Sequence, residues 1–253
     1  MGDRKYPSRD RKLGRAPLLA EGARSCVSRD GYFGQPQSVT RGYCKIENAV
    51  KSFNFDFRGR IVLDIGSSTG GFTELALKNG AKKVIAVEKG TNQMKSPLRF
   101  DPRIDLHEKT DIFNVKATNT SFKDRRLGRA PLLAEGARSC VSENEVFIVL
   151  PDTIVADVSF LSLTKVLKYA KMYLSRSNTD FLVMLKPQFE AKPYQLNKGV
   201  VKNEKIRREI IKNFEQWLKQ NDFIIIKKRD NSLAGKNGNL ERFYWLRNTR
   251  NFR

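Results

Sequence analysis

Short β-branched apolar runs alternate along the chain with stretches in which apolar residues recur every three or four positions. A short apolar run predicts a buried strand, and spacing of three or four predicts one face of a helix. The predicted strands are residues 61–65, 84–88, 104–107, 153–157, 180–185, 223–226 and 241–246. The predicted helices are residues 46–53, 72–78, 161–174 and 204–219. A further apolar run at 146–150 is an added strand whose place the pattern does not give.

The alternation of strands and helices is typical of an α/β domain built on a parallel sheet. At 253 residues the chain is long enough to bury one sizeable core. Only a polar loop at 230–239 separates the last two predicted strands, which favours an antiparallel hairpin. We therefore expect a Rossmann-like α/β fold with a seven-stranded, mostly parallel sheet and a C-terminal antiparallel hairpin.

The strand at 61–65 leads into a glycine-rich turn that opens a helix. Strand, tight turn and helix form the entry to nucleotide-binding α/β folds, where the N–H groups at the helix start face the ligand. A tight turn that binds nothing is the alternative for this segment taken alone. The candidate cofactor-binding residues here are Asp64, Gly66, Ser68, Gly70, Gly71 and Phe72.

Acidic residues follow other strands where a cofactor's ribose and base are expected. Glu88 closes the second strand about 20 residues after the turn, where a ribose hydroxyl pair would be bound. Asp111 follows the third strand, where polar groups could meet an adenine, and Asp157 follows a later one. The turn has Asp-x-Gly-x-x-x-Gly-Gly in place of the G-x-G-x-x-G of dinucleotide folds. This pattern suits S-adenosylmethionine, a cofactor with a ribose and no phosphates.

Two lysines stand at positions that suggest chemistry. Lys186 ends a buried strand and precedes a proline, so it should share the ligand crevice with Asp157 and the glycine turn. Lys45 stands at the start of the helix predicted at 46–53, where the helix dipole disfavours a cation. The alternatives are an ordinary solvated lysine at position 45 and structural ion pairs at the strand ends.

The chain carries 48 Lys and Arg against 27 Asp and Glu, a net charge of +21. A balance this basic indicates a polyanionic partner, with nucleic acid the leading candidate. Lysine-rich composition that serves no partner is the alternative.

Cysteine and histidine are too scarce for the common metal sites and catalytic triads. Three cysteines without a C-x-x-C pair indicate neither a zinc site nor a disulfide framework, and His107 is the one histidine. The N-terminal residues lack the apolar core of a signal peptide, and no apolar run is long enough to span a bilayer. We expect a cytoplasmic protein with no metal and no membrane partner.

Residues 10–28 and 124–142 carry nearly the same peptide, with Arg126 in place of Lys12 as the one difference. Identity this high is not that of an old structural repeat. We interpret the repeat as a recent insertion or an artefact of the gene model; a paired arm that docks on itself or on RNA is the alternative. We expect residues 1–38 to be a basic, poorly structured extension, and 39–253 to be one domain interrupted at 124–142.

Six sequence blocks resemble, in order, those of the haemolysin-A (TlyA-type) branch of the FtsJ-like RNA 2′-O-ribose methyltransferases. They are Arg41-Gly42-x-x-Lys45, Leu63-Asp64-Ile65-Gly66-x-Ser68-Thr69-Gly70-Gly71-Phe72-Thr73, Asp157-Val158-Ser159-Phe160, Lys186-Pro187-Gln188-Phe189-Glu190, Lys198-Gly199-Val200-Val201 and Gly235-x-x-Gly238-Asn239-x-Glu241. The resemblance, from about 39 to 246, implies a class I S-adenosylmethionine-dependent methyltransferase acting on RNA, with ribosomal RNA the expected substrate. It also implies a catalytic tetrad: Lys45, Asp157, Lys186 and Glu241. Family members usually carry an N-terminal S4 RNA-binding domain, and nothing in 1–38 resembles one.

The implied tetrad suits methyl transfer to a ribose hydroxyl. The 2′-hydroxyl is a poor nucleophile and must lose its proton as it attacks the methyl group. With histidine scarce, a lysine can take that proton if burial and a second ammonium nearby favour its neutral form, so we expect Lys45 to assist Lys186. Asp157 and Glu241 would orient the ammonium groups and the hydroxyl, and no metal is required.

Two other functional classes stay open. One is a non-catalytic RNA-binding or ribosome-associated protein on the same fold, which the missing S4 domain favours. The other is a membrane-active haemolysin, which the lack of long apolar or strongly amphipathic stretches disfavours.

Overall fold

The computed structural model describes residues 40–118, 145–233, 235 and 238–249. The extension expected at 1–38 and the insertion expected at 124–142 lie outside these residues. The strands are β1 Ile61–Ile65, β2 Lys83–Val87, β3 Ile104–His107, β4 Val115–Thr118, β5 Val146–Val149, β6 Thr153–Ala156, β7 Asp180–Leu185, β8 Phe223–Asp230 and β9 Arg242–Asn248. The α-helices are α1 Arg41–Phe53, α2 Gly71–Lys78, α3 Leu163–Tyr173, α4 Pro187–Glu190 and α5 Glu204–Gln220.

Seven strands form one sheet in the order β3-β2-β1-β6-β7-β9-β8. Neighbours are parallel from β3 to β7, while β9 lies antiparallel between β7 and β8. The predicted α/β class, the seven strands and the C-terminal hairpin are confirmed. The apolar run at 146–150 forms β5, which pairs in parallel with β4 in a separate two-stranded sheet. The pattern did not predict β4 because Val115–Thr118 is short and contains a lysine.

Helices cover both faces of the main sheet, so its central strands are buried on both sides. Side chains alternate along β1: Leu63 packs in the core shared with α3 and α5, and Val62 packs in the core shared with α1 and α2. This double burial explains why the central strands are continuous apolar runs in the sequence. The loops at the carboxyl ends of the parallel strands are left to form the crevice.

Helix α1 begins five residues before the predicted start at residue 46. The hydroxyl of Thr40 accepts a hydrogen bond from the N–H of Tyr43 at 3.3 Å and caps the helix. Lys45 therefore lies in the second turn, and our placement of this lysine at the helix start was wrong. Apolar spacing could not predict where α1 begins, because its first turn consists of polar and small residues. Only the Thr40 cap marks that turn.

Candidate active site

Antiparallel pairing of β9 brings a residue from the end of the chain to the crevice. Leu185 on β7 lies opposite Arg242 on β9, so Lys186 and Glu241, the next residues outward, are neighbours at one edge of the sheet. Asp157 directly follows β6, the parallel neighbour of β7. Three of the four predicted catalytic residues thus reach the same edge through strand register alone.

The four predicted catalytic side chains form two ion pairs. Lys45 Nζ lies 2.6 Å from Glu241 Oε2, and the two side chains are only 10% and 3% exposed. Lys186 Nζ lies 2.7 Å from Asp157 Oδ1 and donates a hydrogen bond to Ser159 Oγ, also at 2.7 Å. Each lysine is therefore held by a carboxylate from a different part of the chain.

The two ion pairs meet at a cavity of about 150 Å³, which we call the small cavity. Lys45 and Asp157, one residue from each pair, both line it. Its other walls are the first turn of α1 and the glycine turn; they comprise Arg41, Gly42, Gly66, Ser67, Ser68, Thr69, Gly71 and Phe72. The tetrad and the glycine turn therefore form one site.

Close packing of two helix starts builds the wall of the small cavity. A Cβ atom on Gly71, the first residue of α2, would lie 2.5 Å from Thr40 Oγ1 and 2.6 Å from the Tyr43 backbone nitrogen. Only glycine allows α1 to approach this closely. The first turns of both helices therefore line the small cavity, and the positive end of a helix dipole favours an anion.

Hydrogen bonds hold the loop before β9 in place and so fix the position of Glu241. The Asn239 amide accepts a hydrogen bond from the N–H of Val201 at 3.1 Å and donates one to the Gly199 carbonyl at 3.1 Å. The N–H of Gly235 donates to the Asn239 carbonyl at 2.7 Å, and a Cβ at Gly235 would lie 3.1 Å from Glu241 Oε1. The last two sequence blocks of the resemblance therefore hold Glu241 in position.

A cavity of about 730 Å³, which we call the large cavity, opens beside the small one. It is lined by five of the predicted cofactor-binding residues: Gly66, Ser68, Glu88, Asp111 and Asp157. The Glu88 carboxylate accepts hydrogen bonds from the N–H groups of Ser68 at 2.9 Å and Gly90 at 2.7 Å. Glu88 therefore holds the glycine turn while its side chain also lines the cavity. Gly66, Ser68 and Asp157 line both cavities, which makes them one continuous region.

Asp111 lies on the far wall of the large cavity and stays ionised. It forms an ion pair with Lys89 at 2.9 Å and accepts a hydrogen bond from the Phe113 N–H at 3.2 Å. Partial burial acts to raise the pKa of Asp111, but these two hydrogen bonds outweigh it and the pKa is below its usual value.

Two predicted cofactor residues, Asp64 and Gly70, line neither cavity. Asp64 is fully buried behind the turn and accepts a hydrogen bond from the Thr73 hydroxyl at 2.6 Å. Burial raises the pKa of Asp64 from 3.8 to about 7. Gly70 packs against the side chains of Leu98 and Met94. Both residues support the turn from behind.

Several residues of the site were not singled out from the sequence. Ser67 is 4% exposed, lines the small cavity, and has a hydroxyl with no hydrogen-bond partner among the residues that the structure describes. Arg41 lines the same cavity, and Ser159 orients Lys186. Phe160 is 93% exposed at a φ of 61° and contacts the ring of Phe189. All but Ser67 were at specified positions of the resemblance blocks, which was the available signal.

The described part of the chain contains no group of three or more His, Cys, Asp or Glu side chains arranged to hold a metal ion. Within the same residues, no helix combines the length and the apolar character needed to cross a membrane.

Comparisons with known proteins identify relatives of this chain. Hemolysin A of Brachyspira hyodysenteriae is 33% identical over 206 residues, which cover 80% of this chain and 74% of that protein. The 16S/23S rRNA (cytidine-2′-O)-methyltransferase TlyA of Mycobacterium tuberculosis is 33% identical over 210 residues, which cover 83% and 68%. A crystal structure of a hemolysin candidate from Lactococcus lactis has a TM-score of 0.66 at 30% identity, and the match covers 84% of this chain and 89% of that one.

The chain spans 63% to 74% of the length of the curated relatives that it matches. The sequence model of the FtsJ-like methyltransferase family matches residues 38–248, a range that contains the glycine turn and both lysine–carboxylate pairs. The chain therefore belongs to the FtsJ-like methyltransferase family, in its haemolysin-A (TlyA-type) branch.

Proposed function

We propose that this protein transfers a methyl group from S-adenosylmethionine to a ribose 2′-hydroxyl of RNA, with ribosomal RNA as the substrate. The observation that carries the proposal is the meeting of two lysine–carboxylate pairs beside cavities lined by the predicted cofactor residues. The relative named TlyA, whose name gives an rRNA 2′-O-methyltransferase activity, supports the choice of reaction and substrate.

The cavities fit the parts of S-adenosylmethionine. In the large cavity, Glu88 offers carboxylate oxygens to ribose hydroxyls, and Ile112 and Phe113 offer apolar surface to an adenine. In the small cavity, the N–H groups of two helix starts and the Ser67 hydroxyl suit the carboxylate end. When bound, the cofactor supplies a methyl group on a positively charged sulfur.

Lys186 is the base in this proposal. In its neutral form it takes the proton that the 2′-hydroxyl loses as the oxygen bonds to the methyl carbon. The ammonium that results stands beside Asp157, which stabilises the new charge. Lys45 and Glu241 hold the ribose hydroxyl in line from the other side of the site, and alignment of two bound reactants supplies most of the rate.

RNA is the proposed partner because the whole chain is strongly basic. We propose that residues 39–253 form the methyltransferase domain and that 1–38 extend it. A ribosomal RNA substrate implies work in the cytoplasm, and the proposed chemistry uses no metal and no membrane.

The test is transfer of labelled methyl from S-adenosylmethionine to ribosomal subunits and to naked ribosomal RNA, followed by mapping of the modified ribose. Lys186→Ala should lower transfer by at least about 100-fold, the lower end of the range for loss of a general base, while cofactor affinity measured by calorimetry stays nearly unchanged. Lys168→Ala, on the exposed face of α3, is the control and should keep full activity.

Full activity of Lys186→Ala would remove this residue from its role. No binding of S-adenosylmethionine by the wild-type protein would favour the non-catalytic RNA-binding alternative. Leakage from liposomes at low protein concentration would favour the haemolysin alternative.

A further inference from the structure

Helix α3 receives its N-terminal cap from a distant residue. The side chain of Ser162, at the cap position, accepts no hydrogen bond from a backbone N–H of the first turn, and that turn contains no acidic residue. The Ser162 hydroxyl contacts only the side-chain hydroxyl of Thr164 in this turn, at 2.7 Å. Glu190 supplies what is missing: its Oε1 accepts a hydrogen bond from the N–H of Leu163 at 2.6 Å. Its Oε2 accepts one from the Ser162 hydroxyl at 2.7 Å. A carboxylate at a helix start satisfies a free N–H group and is favoured by the helix dipole.

Glu190 lies at the end of α4, the single turn that directly follows Lys186. Ser162 and Leu163 lie at the end of the loop that begins with Asp157. The Glu190 hydrogen bonds therefore join the loop after β7 to the loop after β6. The proposed base lies at the beginning of one loop, and its carboxylate partner lies at the beginning of the other.

Three further contacts connect the same loops. Lys186 pairs with Asp157 at 2.7 Å and donates a hydrogen bond to Ser159 Oγ, also at 2.7 Å. The rings of Phe189 and Phe160 have centroids 5.3 Å apart, and Phe160 is 93% exposed. Both Lys186 contacts involve the amine that takes the proton in the proposed reaction, whereas the Glu190 contacts involve no reacting group.

We propose that Glu190 is a positioning residue for the Lys186–Asp157 pair: by capping α3 it fixes the distance between the two loops and thereby the direction of the Lys186 amine. The inference rests on the proposed function only for the identity of the reaction. The cap itself stands on the Glu190 contacts. Burial raises the pKa of Glu190, while the bonds from Ser162 and Leu163 oppose that rise.

Glu190→Ala tests the proposal because alanine removes both acceptors. The Leu163 N–H and the Ser162 hydroxyl each lose the carboxylate oxygen that they contact, so the cap is broken. We expect kcat to fall about tenfold, because a small misplacement of a reacting group costs one to two orders of magnitude. The KM values for S-adenosylmethionine and RNA should stay within about threefold, because the cofactor and the substrate keep their contacts.

Glu209→Ala is the matched control. Glu209 lies on the exposed side of α5 and lines the same cavity of about 300 Å³ as Glu190. This variant is expected to leave kcat unchanged. Ser162→Ala should lower kcat less than Glu190→Ala and add little when the two are combined, because both changes remove contacts of the same cap.

Amide hydrogen exchange separates the cap from the reaction. In Glu190→Ala, exchange in the peptide 157–163 should rise, with no change in β1 or β9. Increased exchange with an unchanged kcat would overturn the positioning role. A fall in kcat and thermal stability together with a comparable rise in both KM values would also overturn it. Unchanged exchange would overturn the cap. If the wild-type protein transfers no methyl group, the proposed function fails, while the exchange result still decides the cap.

Discussion

Lys45 and Glu241 form a buried ion pair. The intact pair contributes little to the free energy of folding, whereas removal of one partner costs much more. Removing two charges from water costs free energy, and their mutual attraction roughly offsets that cost. Removing one partner leaves the other charge buried without compensation. Loss of one partner should therefore lower stability and, if the pair takes part in the proposed reaction, activity as well.

Glu241→Ala should lower the free energy of unfolding by about 3 kcal/mol, because Lys45 would stay buried with no anion at 2.6 Å. Urea denaturation measures the loss. Glu47→Ala is the control: Glu47 pairs with Lys51, whose side chain is 68% exposed, so its removal should cost about 0.5 kcal/mol. Equal losses in the two variants would contradict the buried pair.

Asp64 should make stability depend on pH. Its pKa is about 7 in the folded protein against 3.8 when unperturbed, because burial disfavours the charged form. Between these values the folded protein keeps a proton that the unfolded chain releases. The contribution of neutral Asp64 is therefore complete below about pH 4 and is lost as the pH rises through about 7.

Asp64→Asn removes this dependence. From pH 5 to pH 8, the free energy of unfolding measured with urea should fall more for the wild type than for Asp64→Asn. Each pKa unit is worth about 1.4 kcal/mol. The same pH dependence in both proteins would contradict the protonated state of Asp64. The other groups titrate equally in the wild type and in Asp64→Asn. The difference in pH dependence between the two proteins therefore reports on Asp64 alone.

At the scale of single residues, the sequence predicted which side chains meet but not how they pair. The resemblance supplied Lys45, Asp157, Lys186 and Glu241, and the crevice logic of parallel sheets supported Asp157 and Lys186. We expected Lys45 to act on Lys186 as a second ammonium. Each lysine instead contacts a carboxylate, and this pairing depends on strand register and loop hydrogen bonds that no sequence pattern contains.

At the scale of elements, the contact between α1 and α2 decides the shape of the small cavity. Gly71→Ala places a Cβ within 2.6 Å of the Tyr43 backbone nitrogen, so one helix must move. We expect unfolding to become easier by about 1–3 kcal/mol and the affinity for S-adenosylmethionine to fall. Calorimetry and urea denaturation measure the two effects.

Gly42→Ala tests the other side of the same helix contact. A Cβ at Gly42 would lie 3.8 Å from the Cα of Gly71, an ordinary contact distance. Alanine also favours the helix, so stability should hold or rise by about 1 kcal/mol. A larger loss in Gly42→Ala than in Gly71→Ala would contradict the helix packing described.

Element boundaries were predictable where one face of an element is buried and its pattern is strong. Helix α5 was predicted at 204–219 and forms at Glu204–Gln220. Strand β8 was predicted only at 223–226 and continues to Asp230. Its second half is lysine- and arginine-rich because β8 is the edge strand, where charged side chains face water. Apolar periodicity cannot detect the second half of β8, because so little of its side-chain surface is buried.

At the scale of the whole molecule, the net charge of +21 predicts that the proposed binding of RNA is electrostatic. Affinity for RNA should fall by about 100-fold or more between 50 and 200 mM salt, because lysine and arginine side chains release counterions from the phosphates. Filter binding or fluorescence anisotropy measures the slope. Affinity for S-adenosylmethionine over the same range is the control and should change little. A flat salt response for RNA would remove the electrostatic part of the proposal.

The position of β9 has a consequence for how the protein is made. This strand is the last of the sheet to be synthesised, yet it lies between β7 and β8 and carries Glu241 at its start. The ribosome must release almost the entire matched region before the sheet can close. A nascent chain that ends before residue 241 has Lys45 without its anion and a gap between two strands, so translation must pass β9 before the proposed active site can form.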